Sequence, residues 1–316
     1  TILRTLEHIL AHTSFFLLFS VTLLYWGKLV YIRNKKLSNL GRRSVIITFI
    51  CITGFLLTRW LYSGHLPLSN LYESSMFLSW SFCLIHTVLI RSQNDWLGTI
   101  TAPSAMLTHG FATLSVPREM QQSTVLVPAL QSHWLMMHVS MMMFSYATLL
   151  CGSLLAIALL VITSKNNMDT PIITSGIDSS IWSSSSEKSN ERGECDSPNT
   201  PFLLSINSRE DQLTQQLDHW SYRIISLGSP LLTLGILSGA VWANEAWGYY
   251  WNWDPKETWA SITWLMFATY MHTRVTKSWR GKEPAIVASL GFFTTWICYL
   301  GVNPSGKGLH SHGWLN

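Results

Sequence analysis

The stretch WGYYWNWDPKETW, residues 247–259, sets four tryptophans and two tyrosines beside an Asp, a Lys and a Glu. With Trp242 upstream and Trp264 downstream, six indoles fall within 242–264. Trp and Tyr gather at membrane interfaces because an amphipathic ring suits the headgroup region, yet six exceed what anchoring one helix end requires. A sheet of indoles suits a large, planar, apolar, π-rich ligand, whose peripheral polar groups the flanking charges neutralise or position. Haem fits that description; a quinone or a lipid headgroup fits it less fully.

Haem needs axial ligands, and histidine supplies them in many sites. The chain has eleven histidines. His138, in SHWLMMHVSMMMFSYA, and His310, in GVNPSGKGLHSHG, belong to separate segments that the topology below puts on the tryptophan face, and together they make a bis-histidine site. His133 and His312 are near neighbours competing for the same roles, and spacing alone separates neither pair. His272, in WLMFATYMHTR, sits deeper in an apolar span, where an ionisable group is costly and is a functional suspect by default. It reads as the ligand of a second haem, or of one in transit, or equally as a bundle-packing residue. His86 lies at similar depth and is a candidate mate. His8, His12, His65, His109 and His219 form no spacing motif and read as structural or solvated.

The elements that must position these residues are membrane helices. Of 316 residues 48% are hydrophobic and 12% charged, against about a quarter charged in soluble domains. Several apolar runs approach the roughly 20 residues that cross a bilayer. Eight spans fit, at 9–30, 44–62, 71–90, 98–115, 133–163, 222–242, 258–276 and 285–302. The fold class is an all-α, polytopic integral membrane helical bundle of about eight transmembrane helices with a Trp-rich loop. The fourth span is Thr-rich and interrupted by Pro103; the fifth is long enough for one end to project from the membrane. The first apolar stretch runs into Arg/Lys-rich sequence without a small-residue cleavage site and reads as a spanning helix rather than a removed signal.

Asp254 at N-cap, Pro255 at N1 and Glu257 at N3 make a capping-box-like start for the seventh span. Trp253 and the residues before it then lie outside that helix, and Trp247 and Trp251 share a face if their segment is helical. GHLPLSNLYES, 64–74, reads as a turn and capped start of the third span.

Lys/Arg asymmetry orients the bundle. YIRNKKLSNLGRR holds five basic residues and RVTKSWRGKE four, both in short connections assigned to the cytoplasmic or equivalent n-side. Both termini, the 63–70 and 116–132 loops and the tryptophan segment share the opposite p-side. The chain divides into 1–163, the first five helices; 164–221, a polar stretch expected to be a disordered n-side insertion with an amphipathic piece near 208–220; and 222–316, the last three helices with the tryptophan segment at 242–259.

The net charge of +4 is small and concentrated in connecting loops, so nucleic acid is not an expected partner, whereas membrane lipid is. The five cysteines are scattered without CxxC or metal-ligand spacing, which points away from a disulfide framework and from haem attached covalently to this chain. Phosphate-loop, GxSxG, HExxH and dinucleotide motifs are absent from the sequence.

WANEAWGYYWNWDPKETWA, with GHLPLSNLYESSMFLSW, WLMMHVSMMMFSYA and GVNPSGKGLHSHG, resembles the CcsA family of cytochrome c biogenesis proteins, particularly its chloroplast-encoded members. The first block carries the WWD signature of that family, and the blocks occur in family order from residue 64 onward. The polar insertion is the part that matches poorly.

The resemblance implies a haem-handling protein of the chloroplast thylakoid membrane, with the p-side lumenal and the n-side stromal. It implies work with the membrane partner CcsB, called Ccs1 in plastids, to attach haem b to apocytochromes c of the cytochrome f and cytochrome c6 type. By the same carry-over Trp242, Trp247, Trp251, Trp253, Asp254 and Trp259 surround haem at the lumenal face. His138 and His310 are its axial ligands, favoured by the resemblance over His133 and His312, and His272 is the membrane-embedded histidine that helps haem cross. The alternatives are a haem exporter without attachment activity, a cytochrome b-like electron-transfer subunit, and an ordinary transporter whose tryptophans are an interfacial anchor.

Overall fold

Eight α-helices follow one another in a computed structural model that describes residues 2–30, 35–89, 95–117, 121, 132–169, 200–276 and 279–301. They are α1 (Ile2–Val30), α2 (Lys35–Ser63), α3 (Leu71–Leu89), α4 (Asp95–Gly110), α5 (His133–Asp169), α6 (Thr200–Trp247), α7 (Pro255–Thr276) and α8 (Lys282–Trp296). Each overlaps one expected span, although α6 begins at Thr200, well before residue 222. Pro103 lies within α4 without ending it, and both α4 and α8 run on into π-helical turns, Phe111–Ser115 and Ile297–Gly301.

The all-α membrane bundle is as expected. Leu3–Lys28, Asn39–Ser63, His133–Ser164, Asp211–Trp247 and Lys282–Gly301 are long and apolar enough to cross a membrane. Bulky apolar side chains face outward along the helices, among them Phe16, Leu61, Leu107, Leu114 and Phe293, as a hydrocarbon solvent requires. α6 begins at Thr200, so its first turns occupy part of the stretch read as the polar insertion and contain the amphipathic piece near 208–220. Residues 170–199 lie outside the described residues.

Two rings of four helices make up the bundle. α1 packs on α2, α2 on α3, α3 on α4 and α4 back on α1; α5 through α8 close in the same cyclic way, and α3 and α4 join the rings through α5. In an apolar solvent, buried hydroxyls find partners within the protein. Many bond the carbonyl one turn back, as Thr22 does to Leu18 and Ser81 to Phe77. Others link helices: Trp80 Nε1 donates to Thr53 Oγ1 and Trp264 Nε1 to Thr233 Oγ1, each at 2.9 Å.

α5 and α6 form the closest pair. A Cβ at Gly152 would meet Ile225, one at Gly228 would meet Thr148 and Leu149, and one at Gly235 would meet Met142. Small residues let the two backbones approach, close enough for Ser145 Oγ to reach the Gly228 carbonyl at 3.0 Å and Ser221 Oγ the Gly152 carbonyl at 2.8 Å.

Several segments assigned to one face do meet at one end of the bundle. Arg59, at the end of α2, bonds Glu7 near the start of α1 at 2.5 Å, Glu73 near the start of α3 at 2.8 Å, and the Gln121 carbonyl at 2.7 Å. Glu73 also accepts from the Ser69 N–H and hydroxyl, which fixes the capped start of α3. The sequence reading found this cap but not the buried ion cluster it serves.

Candidate functional site

α6 stops at Trp247 because Gly248 takes a left-handed backbone, φ 83°, and donates its N–H to the Asn244 carbonyl at 2.9 Å, a helix-ending turn that glycine adopts without a Cβ penalty. The chain then runs irregularly to Asp254, and α7 starts at Pro255. Glu257 folds back so that Oε2 accepts the N–H groups of Asn252 at 2.9 Å and Asp254 at 3.3 Å. This is the half of a capping box in which the N3 carboxylate holds the N-cap backbone, and it puts the helix start where the sequence placed it. Trp253, just before the cap, has φ 56°, a conformation that bulky side chains rarely adopt.

The indoles are layered rather than spread as one sheet. Trp242 is buried and meets Trp247 edge-on, with ring centroids 4.8 Å apart, and Trp247 stacks on Tyr249. Trp251 meets Trp253 edge-on at 6.0 Å, and Trp253 is 76% exposed. Trp259 packs half-buried against the core. The helical condition for Trp247 and Trp251 to share a face is not met, since α6 has ended: Trp251 lines the cleft described next, while Trp247 backs Trp242.

That cleft, about 220 Å³, opens between α5, the end of α6, the start of α7 and the π-helical end of α8. α5 contributes His138, Met142 and Tyr146, which recur every fourth residue; α6 contributes Gly239, Trp242 and Ala243. Tyr250 and Trp251 come from the irregular segment, Lys256 and Glu257 from the first turn of α7, and Cys298 and Tyr299 from the π turn.

His138 is held by α6. Its Nδ1 lies 2.6 Å from the Gly235 carbonyl. A carbonyl only accepts, so Nδ1 carries the proton; the neutral ring then has its lone pair on Nε2, the tautomer of a metal-ligating histidine with its outer hydrogen bond in place. One turn on, a Cβ at Gly239 would lie 2.5 Å from Nδ1 and 2.6 Å from Cε1 of this ring. The imidazole therefore occupies a notch that only glycine leaves open.

Lys256, ahead of the apolar part of α7, is pushed below the ordinary lysine pKa by burial, with the buried Asp254 opposing that shift. On the same cleft, the Tyr146 hydroxyl lies 3.2 Å from Cys298 Sγ, and the Tyr299 hydroxyl bonds Ser74 at 3.1 Å and Ser75 at 3.0 Å on α3. The first helical ring thus braces the cleft through Tyr299.

His310 and His312 lie outside the described residues. His133 is exposed in the first turn of α5. His272 is exposed on α7, with Nδ1 3.4 Å from Thr276 Oγ1, about 24 Å along the helix from Lys256 at 1.5 Å per residue. It is not brought to the cleft. His86 is buried, with Tyr25 on Nε2 at 3.1 Å and Thr101 on Nδ1. Both its ring nitrogens are engaged, and the His86–His272 pair is not assembled. His109 is a packed residue, as read, its Nε2 bonded to Ser14 and the Ala11 carbonyl.

Sequence reasoning counted Lys256 among the charges flanking the tryptophans and missed Gly235, Gly239, Met142, Tyr146, Cys298 and Tyr299 as parts of the cleft. The fourfold spacing of His138, Met142 and Tyr146, set against Gly235 and Gly239 four apart, was the available signal for one helix face meeting a small-residue stripe.

The cytochrome c assembly protein family matches residues 68–310, which contain both the α5–α6 notch and the tryptophan segment. The chain belongs to this family. Cytochrome c biogenesis protein CcsA of Marchantia polymorpha is 66% identical over 317 aligned residues, covering 98% of each chain. CcsA of Pinus thunbergii is 63% identical with the same coverage, and that of Anthoceros angustus 60% identical over the whole of both chains. Family membership assigns the chain to cytochrome c biogenesis. In fold it is similar to the cytochrome c haem lyase CcmF, with a TM-score of 0.61 and 17% identity, covering 95% of this chain and 48% of that longer one.

Proposed function

We propose that this member of the cytochrome c assembly family presents haem b, its substrate, at the tryptophan-bearing end of the bundle for attachment to the CxxCH cysteines of apocytochromes c. The observation that carries the reading is His138, seated in a glycine notch with its Nδ1 proton on the Gly235 carbonyl, on the wall of a cleft lined by Trp242, Trp251 and Tyr250. That tautomer and second hydrogen bond are what an axial histidine requires. His310 is the second ligand. The cleft is smaller than the about 300–1,000 Å³ of enclosed small-molecule sites, so its lining residues would hold only part of a haem.

Attachment adds each cysteine S–H across a haem vinyl group: sulfur bonds one vinyl carbon, the proton goes to the other, and no net oxidation occurs. The chain's own residues hold and orient the substrate. Two histidines keep the iron closed until the apocytochrome's own histidine replaces one of them and carries the product away.

In this reading the end bearing 242–259 and both termini face the thylakoid lumen, 164–221 lies on the stromal side, and CcsB/Ccs1 completes the complex. Cytochrome f and cytochrome c6 type apoproteins are the acceptors. His272 is exposed near the opposite end of α7, which suits a transit ligand whose opposing ligand a partner supplies. The second reading, haem export without attachment, rests on the same residue.

A visible spectrum of the purified complex tests the proposal, with haem loaded and apocytochrome added. His138→Ala and His310→Ala should each lose the haem absorbance or the attached product. Full cytochrome assembly in both variants sinks the ligand assignment. Retained haem binding with no product from the intact complex decides for export alone.

A further inference from the structure

Two neighbouring residues of the π turn that ends α8 are held by different helices. Cys298 Sγ lies 3.2 Å from the Tyr146 hydroxyl on α5, while the Tyr299 hydroxyl bonds Ser74 at 3.1 Å and Ser75 at 3.0 Å on α3. Successive side chains of an α-helix point about 100° apart. The wider winding over Ile297–Gly301 narrows that angle, and both residues line the cleft.

Tyr299 is buried, its ring against those of Tyr146 and Trp296. The Ser74 hydroxyl also reaches the Leu71 carbonyl at 3.1 Å. With the Ser74 proton there, Tyr299 donates to Ser74 and accepts from Ser75, so its hydroxyl is used in both directions. This clasp joins the end of α8 to the first helical ring at the cleft wall.

The clasp sits two residues before Gly301, where the described part of α8 and its π turn ends. His310 follows nine residues later, a stretch that reaches at most about 30 Å fully extended. The place at which residue 301 is held therefore bounds where residue 310 can act.

We infer that Tyr299 is the positioning residue of the second iron ligand. By fixing the point from which the C-terminal segment leaves, it raises the effective concentration of His310 at an iron that His138 holds. The two ligands then depend on different frames: His138 on the α5–α6 notch, His310 on a turn pinned to α3. The strength of the pin sets how readily the second ligand gives way.

This inference rests on the haem reading with His310 as second ligand, and the test separates the two. Ferric haem is loaded into the purified full-length protein with its partner, and cyanide is titrated by absorbance. Cyanide takes the sixth position as the second ligand leaves, so half-saturation reads how readily that ligand yields. His310→Ala marks the uncontested limit. Tyr299→Phe keeps the ring, removes the hydroxyl and should lower the half-saturating cyanide concentration about fivefold, the scale of one net hydrogen bond. So should the Ser74→Ala/Ser75→Ala double variant, in which Tyr299 is intact. Neither should lower it further once residue 310 is changed to alanine, because the clasp acts through that ligand. In the haem-free protein, amide exchange over 297–301 should quicken in both clasp variants.

An unchanged cyanide titration in either clasp variant overturns the inference, as does unchanged amide exchange over the turn. An equal shift in the His310→Ala background also overturns it, by showing that the clasp serves the cleft and not the second ligand. If His310→Ala itself leaves the wild-type titration unaltered, the second-ligand reading fails and takes this inference with it.

Discussion

Gly239→Ala adds one methyl group to α6, and the structure says where it lands. The new Cβ would lie 2.5 Å from His138 Nδ1, 2.6 Å from Cε1 and 3.2 Å from Cγ. Non-bonded carbon contacts settle near about 3.5–4.0 Å, so the imidazole must retreat by roughly 1 Å. Its hydrogen bond to Gly235 is 2.6 Å long, and a retreat of that size takes it past the about 3.2 Å limit of an N–H···O bond. Overpacking contributes about 1–3 kcal/mol and the stranded donor about 1–3 kcal/mol. Together they make about 2–6 kcal/mol against the ligating pose, roughly a 30-fold loss of haem affinity at the low end. Haem titration of the purified complex by absorbance reads this directly. Gly228→Ala is the matched control: its Cβ would meet Thr148 Oγ1 at 2.5 Å and Leu149 at 2.9 Å, on the same helix pair but about 16 Å further along α6. It should lower stability by a similar amount and leave haem affinity nearly unchanged. Equal haem loss in both variants, at equal amounts of folded protein, would refute the notch as the device that aims His138.

Three further outcomes follow from named contacts. Arg59→Gln leaves the Glu7 and Glu73 carboxylates buried without their cation and should destabilise the first helical ring by about 3–5 kcal/mol; an unaltered melting temperature in detergent would show that the cluster does not hold α1, α2 and α3 together. Glu257→Gln should weaken the start of α7 by about 1 kcal/mol, with faster amide exchange over 252–258; unchanged exchange there would show that the Oε2 bonds to the Asn252 and Asp254 N–H groups do not hold the turn. Trp253→Asn should keep the turn, because Asn tolerates the left-handed backbone that Trp253 is held in; if amide exchange shows the turn lost, the indole contact with Trp251 and not the cap is what sustains that conformation.

How much of this was legible beforehand differs by kind of interaction. The eight helices, their order and the start of α7 follow from apolar runs and from Asp254–Pro255–Glu257, because span length and capping are local properties of sequence. The geometry of the cap was not legible. Glu257 Oε2 accepts the Asn252 and Asp254 N–H groups and Asp254 is buried, and composition alone does not give the burial of either carboxylate. The tryptophan layering was hidden for a related reason. A glycine at 248 ends α6 and breaks the spacing on which a shared face depends, so Trp247 and Trp251 part company. The glycine notch was in plain view as spacing, but its meaning needed the partner: Gly235 and Gly239 become a site feature only when His138 is seen to lie across them.

The same geometry weighs on the cytochrome b-like alternative, which requires histidines facing one another across helices at matched depth. His86 is the residue that could have supplied one side. Tyr25 occupies its Nε2 and Thr101 its Nδ1, so ligation there would break a buried hydrogen bond that the apolar surroundings cannot replace. His272, its would-be mate, lies exposed on α7 near the end away from the cleft. His138 differs from both in a way that is chemical rather than positional: one nitrogen is committed to a carbonyl, and that commitment leaves the other in the form that binds metal. A haem-bearing electron carrier would need two such residues inside the bundle, whereas a protein that presents haem needs one firm anchor there and a second ligand that can give way.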